Sequence, residues 1–129
     1  MISVKNLSRV FDKHKVVDDL SFEIFPGDII GFLGPNGAGK STTMKMLTGF
    51  LPASSGSIEI NGLRYTKSTR EGLQIKRDIG YLPEGAPAYC DMTVYQFLYF
   101  ITQVRKIPRG ERKLAIARVC EQVQLEQVL

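Results

Sequence analysis

The stretch Gly34-Pro35-Asn36-Gly37-Ala38-Gly39-Lys40-Ser41, continued by Thr42 and Thr43, reads G-x-x-x-x-G-K-[ST], the pattern of a phosphate-binding loop. Ahead of it lies Asp28-Ile29-Ile30-Gly31-Phe32-Leu33, a short apolar run suited to a strand buried on both faces. Behind it, Thr42 to Leu47 carries a helical pattern that Gly49 can stop. Strand, glycine loop and helix in that order are the context the motif requires. A glycine-rich turn with a chance lysine is the alternative. With glycine at about 7% of ordinary sequence, an accidental match in a chain this long is on the order of 1% or less.

The residue types fit the chemistry. A polyphosphate is a dense anion and needs many donors. Glycines allow backbone N–H groups to converge with no side chain in the way. A helix N-terminus adds unpaired N–H groups and the positive end of its dipole. Lys40 brings a mobile ammonium for the β- and γ-phosphates, and the Ser41 hydroxyl can ligate a magnesium ion.

Outward from the loop, Ile2 and Val4 alternate with Ser3 and Lys5, and Leu20, Phe22 and Ile24 alternate with Asp19, Ser21 and Glu23. These are two half-buried strands, expected to pair antiparallel, with Phe11 to Lys15 as a polar turn between them. Pro26-Gly27 marks a turn, Ile58 and Ile60 flank Glu59 in a further strand, and Asn61-Gly62 is a tight turn. Lys67 to Arg77 reads weakly as a helix, and Ile79-Gly80-Tyr81-Leu82 as a short strand. Pro83 to Asp91 is a loop. Thr93 then caps a helix, with Gln96 as its capping-box partner and Val94, Phe97, Leu98 and Ile101 as its apolar face. A last helix starts near Glu111 with Ile116, Cys120 and Val123 on one face.

The 129 residues suffice for one small domain, and 43% hydrophobic with 23% charged residues is an ordinary globular mix. The apolar runs are far short of a membrane span, and the opening Met1 to Lys5 carries no signal-peptide pattern, so a cytoplasmic chain is expected. Cys90 and Cys120 lie far apart, and with His14 the sole histidine they make a poor zinc set; both read as small buried residues. The net charge is +4. Basic residues gather at Lys67, Arg70, Lys76 and Arg77, and at Arg105, Lys106, Arg109, Arg112 and Lys113. Solvated helix faces are the commoner meaning of such clusters, with a nucleic-acid surface or a surface beside anionic lipid as alternatives.

The loop from Gly34 to Thr43 resembles, residue for residue, the Walker A loop of ABC transporter ATP-binding subunits. Leu20-Ser21-Phe22, Pro26-Gly27-Asp28, the run from Ser55 to Gly62 and Asp91-Met92-Thr93-Val94 are similar to the segments flanking that loop in the family. Ile79-Gly80-Tyr81-Leu82-Pro83-Glu84 falls where the family carries its Q-loop, in wording most like ABC-2 type exporters. The resemblance implies an α/β fold: a P-loop NTPase core with an antiparallel β subdomain, here incomplete. Residues 1–129 resemble the N-terminal portion of one nucleotide-binding domain, from Walker A through the Q-loop to the start of the helical subdomain. The LSGGQ-like signature, the apolar strand ending in Asp and the catalytic Glu, and the switch histidine have no counterpart in these residues.

By this resemblance the chain binds ATP and Mg2+ through Gly34, Pro35, Asn36, Gly37, Ala38, Gly39, Lys40, Ser41 and Thr42, with Phe11 stacking on adenine. Ordinary core is the other reading of Phe11. Glu84 stands where the family usually has glutamine; it can still offer oxygen to magnesium, but adds a negative charge near the γ-phosphate. The implied function is ATP hydrolysis coupled to transport by a complete subunit peripheral to the cytoplasmic face of the membrane. Its partners would be a membrane-spanning permease subunit and a second nucleotide-binding domain, with two ATP molecules sandwiched between the pair and no nucleic acid expected. The chain alone would not hydrolyse ATP. A soluble ABC ATPase acting on nucleic acid or ribosomes, or an inactive fragment, are the alternatives. A GTPase would need an N-K-x-D motif, which this sequence lacks.

Overall fold

A computed structural model describes residues 1–65, 69–85, 89 and 91–125. Lys67 and Cys90 lie outside the described residues. The chain divides into two compact units, Met1–Tyr81 and Leu82–Leu129.

The first unit is built on a four-stranded antiparallel sheet in the order β2-β1-β3-β4. Strands β1 (Ile2–Phe11) and β2 (His14–Ile24) form a long hairpin, with Ile2 opposite Ile24 and Phe11 opposite His14. The expected turn from Phe11 to Lys15 is therefore shorter in the structure. Only Asp12 and Lys13 make it, both with positive φ as a two-residue hairpin turn requires, and Phe11 belongs to the strand. Strand β3 (Ser55–Ile60) pairs with β1, and the Asn61-Gly62 turn leads into β4 (Leu63–Arg64). Helices α1 (Lys40–Leu47) and α2 (Thr69–Asp78) complete the unit.

Alternation along the strands sends Val4, Leu7, Val17, Ile58 and Ile60 into one buried cluster with Met46 and Leu47 of α1 and Ile75 of α2. Helix α1 ends as Gly49 suggests. The Gly49 N–H donates to the Met46 carbonyl and the Phe50 N–H to the Lys45 carbonyl, which satisfies the last turn.

Asp28 to Leu33 departs from expectation. No strand among the described residues lies beside it, and it forms no ladder. Phe32 packs on the core cluster, its ring edge-on to Phe22 at 5.6 Å. Ile29 and Leu33 are 99% and 96% exposed. On the face it shares with Phe32, Ile30 is itself 51% exposed, so of the run's apolar side chains Phe32 alone packs on the core and the hydrophobic argument for a buried strand is met only there. Ile79 to Leu82 likewise forms no strand; Ile79 packs on the core and Tyr81 lies against Phe50, with ring centroids 5.3 Å apart.

In the second unit, α3 (Val94–Val104) begins with the expected capping box. The Gln96 N–H donates to Thr93 Oγ1 at 3.2 Å, and the Thr93 N–H donates to Gln96 Oε1 at 2.9 Å. Helix α4 (Arg112–Gln122) buries Ile116 and Cys120, but Val123 is exposed because the helix ends there and its C-cap turns off the apolar face. No helix among the described residues is long and apolar enough to cross a membrane.

Gly56 allows β3 to cross β1 closely. A Cβ there would meet the Asn6 carbonyl oxygen at 2.3 Å and Leu7 Cα at 2.7 Å, and its φ is +87°. Gly56→Ala should destabilise the chain by more than about 2 kcal/mol in denaturant unfolding, whereas Thr93→Ala should cost only about 1 kcal/mol by loss of a cap.

Candidate functional site

The glycine loop is set by contact between its end and the sheet. Gly39 is buried, has φ +87°, and is the N-cap of α1. A Cβ on it would stand 2.5 Å from the Val16 carbonyl oxygen and 3.0 Å from Val17 Cγ2 on β2. Only glycine can take this backbone at this distance. The Thr43 N–H and Thr43 Oγ1 both donate to the Gly39 carbonyl, at 2.8 and 2.9 Å, and Thr43 is buried. Thr43 is therefore a structural clasp on the first turn. Ala38 N–H closes the loop on the Pro35 carbonyl at 3.2 Å.

With glycine at the N-cap, no side chain caps α1. The N–H groups of Lys40, Ser41 and Thr42 precede the first helical rung and have no i−4 partner. Gly34, Pro35, Asn36, Gly37, Ala38 and Ser41 are exposed, while Lys40 and Thr42 are half-buried. Lys40 Nζ folds back across the loop and donates to the carbonyls of Gly34 and Pro35, at 2.5 and 2.6 Å. An ammonium has three N–H donors, so one remains for an anion at the loop. The Ser41 hydroxyl makes no hydrogen bond to the described residues. The helix has no acidic residue in its first turn to compete for its dipole. The helical pattern in the sequence starts at Thr42, whereas the helix itself starts at Lys40, placing the lysine at the helix mouth.

Phe11 lies at the far end of β1, 40% exposed, so it is not core. It pairs with His14, two residues from the Val16 carbonyl that meets Gly39. One ring face is occupied: the Arg9 guanidinium carbon sits 4.4 Å from the ring centroid. Sequence reasoning missed Arg9, although its i, i+2 spacing from Phe11 on a strand was a visible signal. Glu84 is in the second unit, exposed, at a turn with Gly85. No cluster of three metal-ligating side chains occurs among the described residues. The donor set at the loop is one hydroxyl beside backbone N–H groups, which fits a magnesium ion whose other ligands are phosphate oxygens and water.

The ABC transporter family model matches residues 17–129. The chain belongs to the ABC transporter ATP-binding family. Among its relatives, the linearmycin resistance ATP-binding protein LnrL of Bacillus subtilis is 35% identical over 127 residues, covering 98% of this chain and 40% of that protein. A solved ATP-binding subunit of an ABC transporter superposes with a TM-score of 0.85 at 28% identity, covering all of this chain and 52% of the other. The ATP-binding cassette MJ0796, solved as a dimer in a post-hydrolysis state with ADP and Pi, shares the fold with a TM-score of 0.84 at 18% identity, over 60% of its length. The fold of this chain is thus an ABC ATPase fold in part, and the chain spans about half the length of the proteins it matches.

The glycine at the helix mouth is testable without any ligand. Gly39→Ala should force α1 away from β2 and lower stability by more than about 2 kcal/mol. Hydrogen exchange should then show early opening of α1, since its docking to the strand depends on that contact.

Proposed function

We propose that this chain grips MgATP through residues 34–42 and forms part of an ABC transporter ATP-binding subunit that couples hydrolysis to transport across a membrane. The observation that carries this is the uncapped N-terminus of α1, seated on β2 through Gly39, with Lys40 folded over the loop. Backbone N–H groups of Lys40, Ser41 and Thr42 and the remaining Lys40 donor would hold the β- and γ-phosphates. Ser41 would hold magnesium, which neutralises charge between the phosphates when bound. Phe11, exposed on the hairpin end adjoining Val16, would stack on the base. Glu84 would act from the Q-loop position.

Membership of the family supports an ATPase. In this reading the residues of the chain bind and orient, and the strand ending in Asp and the catalytic Glu of the family has no counterpart in the sequence. Loss of one transition-state group commonly costs about 10²–10³ in rate, so hydrolysis would need the rest of the relatives' length and a second nucleotide-binding domain. The bare faces of Ile29 and Leu33 support this: apolar side chains almost wholly in water call for covering structure. Residues Tyr89, Met92 and Tyr95 are also exposed, and we assign them to docking a membrane-spanning subunit on the cytoplasmic face.

Lys40→Ala should weaken MgATP binding by tenfold or more, about 1.4 kcal/mol, in calorimetric titration; unchanged affinity in a folded variant would remove the phosphate assignment. The 129-residue chain alone should show ATP turnover no greater than that of its Lys40→Ala variant. In the assembled transporter, a photocrosslinker at Tyr89 should capture the membrane subunit, and capture confined to its own domain would overturn the docking assignment.

A further inference from the structure

Arg9 is held by three features at once. Its guanidinium carbon lies 4.4 Å from the Phe11 ring centroid. Its Nη1 donates to the Pro52 carbonyl at 2.8 Å. Its Nε is buried and has no hydrogen-bond partner. The adjoining backbone is fixed as well: the Val10 N–H donates to Ser54 Oγ and the Ser54 N–H to the Ser8 carbonyl. A buried, unpaired Nε is costly, and no carboxylate pairs with this guanidinium among the described residues. The side chain is placed on the ring rather than in an ion pair.

We propose that Arg9 is a positioning residue for the nucleotide base, acting through Phe11. The proposal rests on the reading that Phe11 stacks on the base. A guanidinium lying on one ring face does two things. It blocks that face and stops the ring from turning, so the exposed face is presented in one orientation and less freedom is lost on binding. It also attracts the π density of the ring through the cation–π interaction. The far face becomes less electron-rich, which suits stacking on an electron-rich purine. Arg9 itself need not touch the ligand. Because the Pro52 carbonyl anchors Arg9, the loop after α1 and the base platform are mechanically joined, and α1 carries the phosphate loop at its other end.

The test compares MgATP with magnesium tripolyphosphate, which carries the phosphates but no base, by titration of the intact subunit. Arg9→Met keeps the side-chain stem and removes the charge. It should weaken MgATP about threefold or more and leave tripolyphosphate unchanged, and Arg9→Lys should recover part of the loss. Phe11→Ala should show the same selective loss, larger in size. In a Phe11→Trp background, Arg9→Met should also change the tryptophan emission. An equal fall for both ligands would make Arg9 a brace of the fold and overturn the proposal. An unchanged ratio in Arg9→Met beside a lowered ratio in Phe11→Ala would overturn it while leaving the Phe11 reading intact. An unchanged ratio in Phe11→Ala would remove that reading, and the proposal with it.

Discussion

Everything at the candidate site depends on the approach of Gly39 to the Val16 carbonyl, so close that a Cβ would sit 2.5 Å from the oxygen. That contact seats the start of α1 against β2. It leaves three backbone N–H groups facing outward, with no side-chain cap to satisfy them. Met46 and Leu47 carry the same helix into the hydrophobic cluster below, so the open helix mouth is backed by the core of the first unit.

The loop has charge logic as well as shape. Lys40 does not extend into water but lies on two carbonyls of its own loop, Gly34 and Pro35. Those carbonyls point their negative ends at the ammonium, while the helix mouth presents only positive ends. In the proposed reading, the uncapped N–H groups and an ammonium already held nearby would receive the anion with little rearrangement, and preorganisation lowers the entropy lost on binding. The hairpin adds a second kind of surface. Phe11 offers a broad apolar face, and the Arg9 guanidinium lies over its other side. In the proposed reading, phosphate and base would be held at a helix end and a strand end that share β2 as their common support.

The same unit shows how a strand can be only half made. Phe32 reaches the core, and its neighbours Ile29 and Leu33 stand almost wholly in water. Apolar content on both faces is a property of the residues; covering both faces is a property of the whole assembly of strands. The proteins this chain matches are about twice as long, and the uncovered face is where additional structure would lower the free energy most directly.

The sequence by itself determined what depends on neighbours along the chain. The G-x-x-x-x-G-K-S spacing, the Thr93–Gln96 capping box, the Asn61-Gly62 turn and the alternation of Ile58 with Ile60 are local patterns, and each reappears in the structure. The family was also legible, because the wording around the loop is itself a local pattern. Tertiary structure alone decided the rest. That Thr43 clasps Gly39, that Phe11 ends a strand and is exposed, and that Arg9 covers its ring all follow from which chain segments meet in space. The missing strands at Asp28 to Leu33 and Ile79 to Leu82 show the reverse. A strand is defined by hydrogen bonds to another strand, so an apolar run can state its preference but cannot supply its own partner.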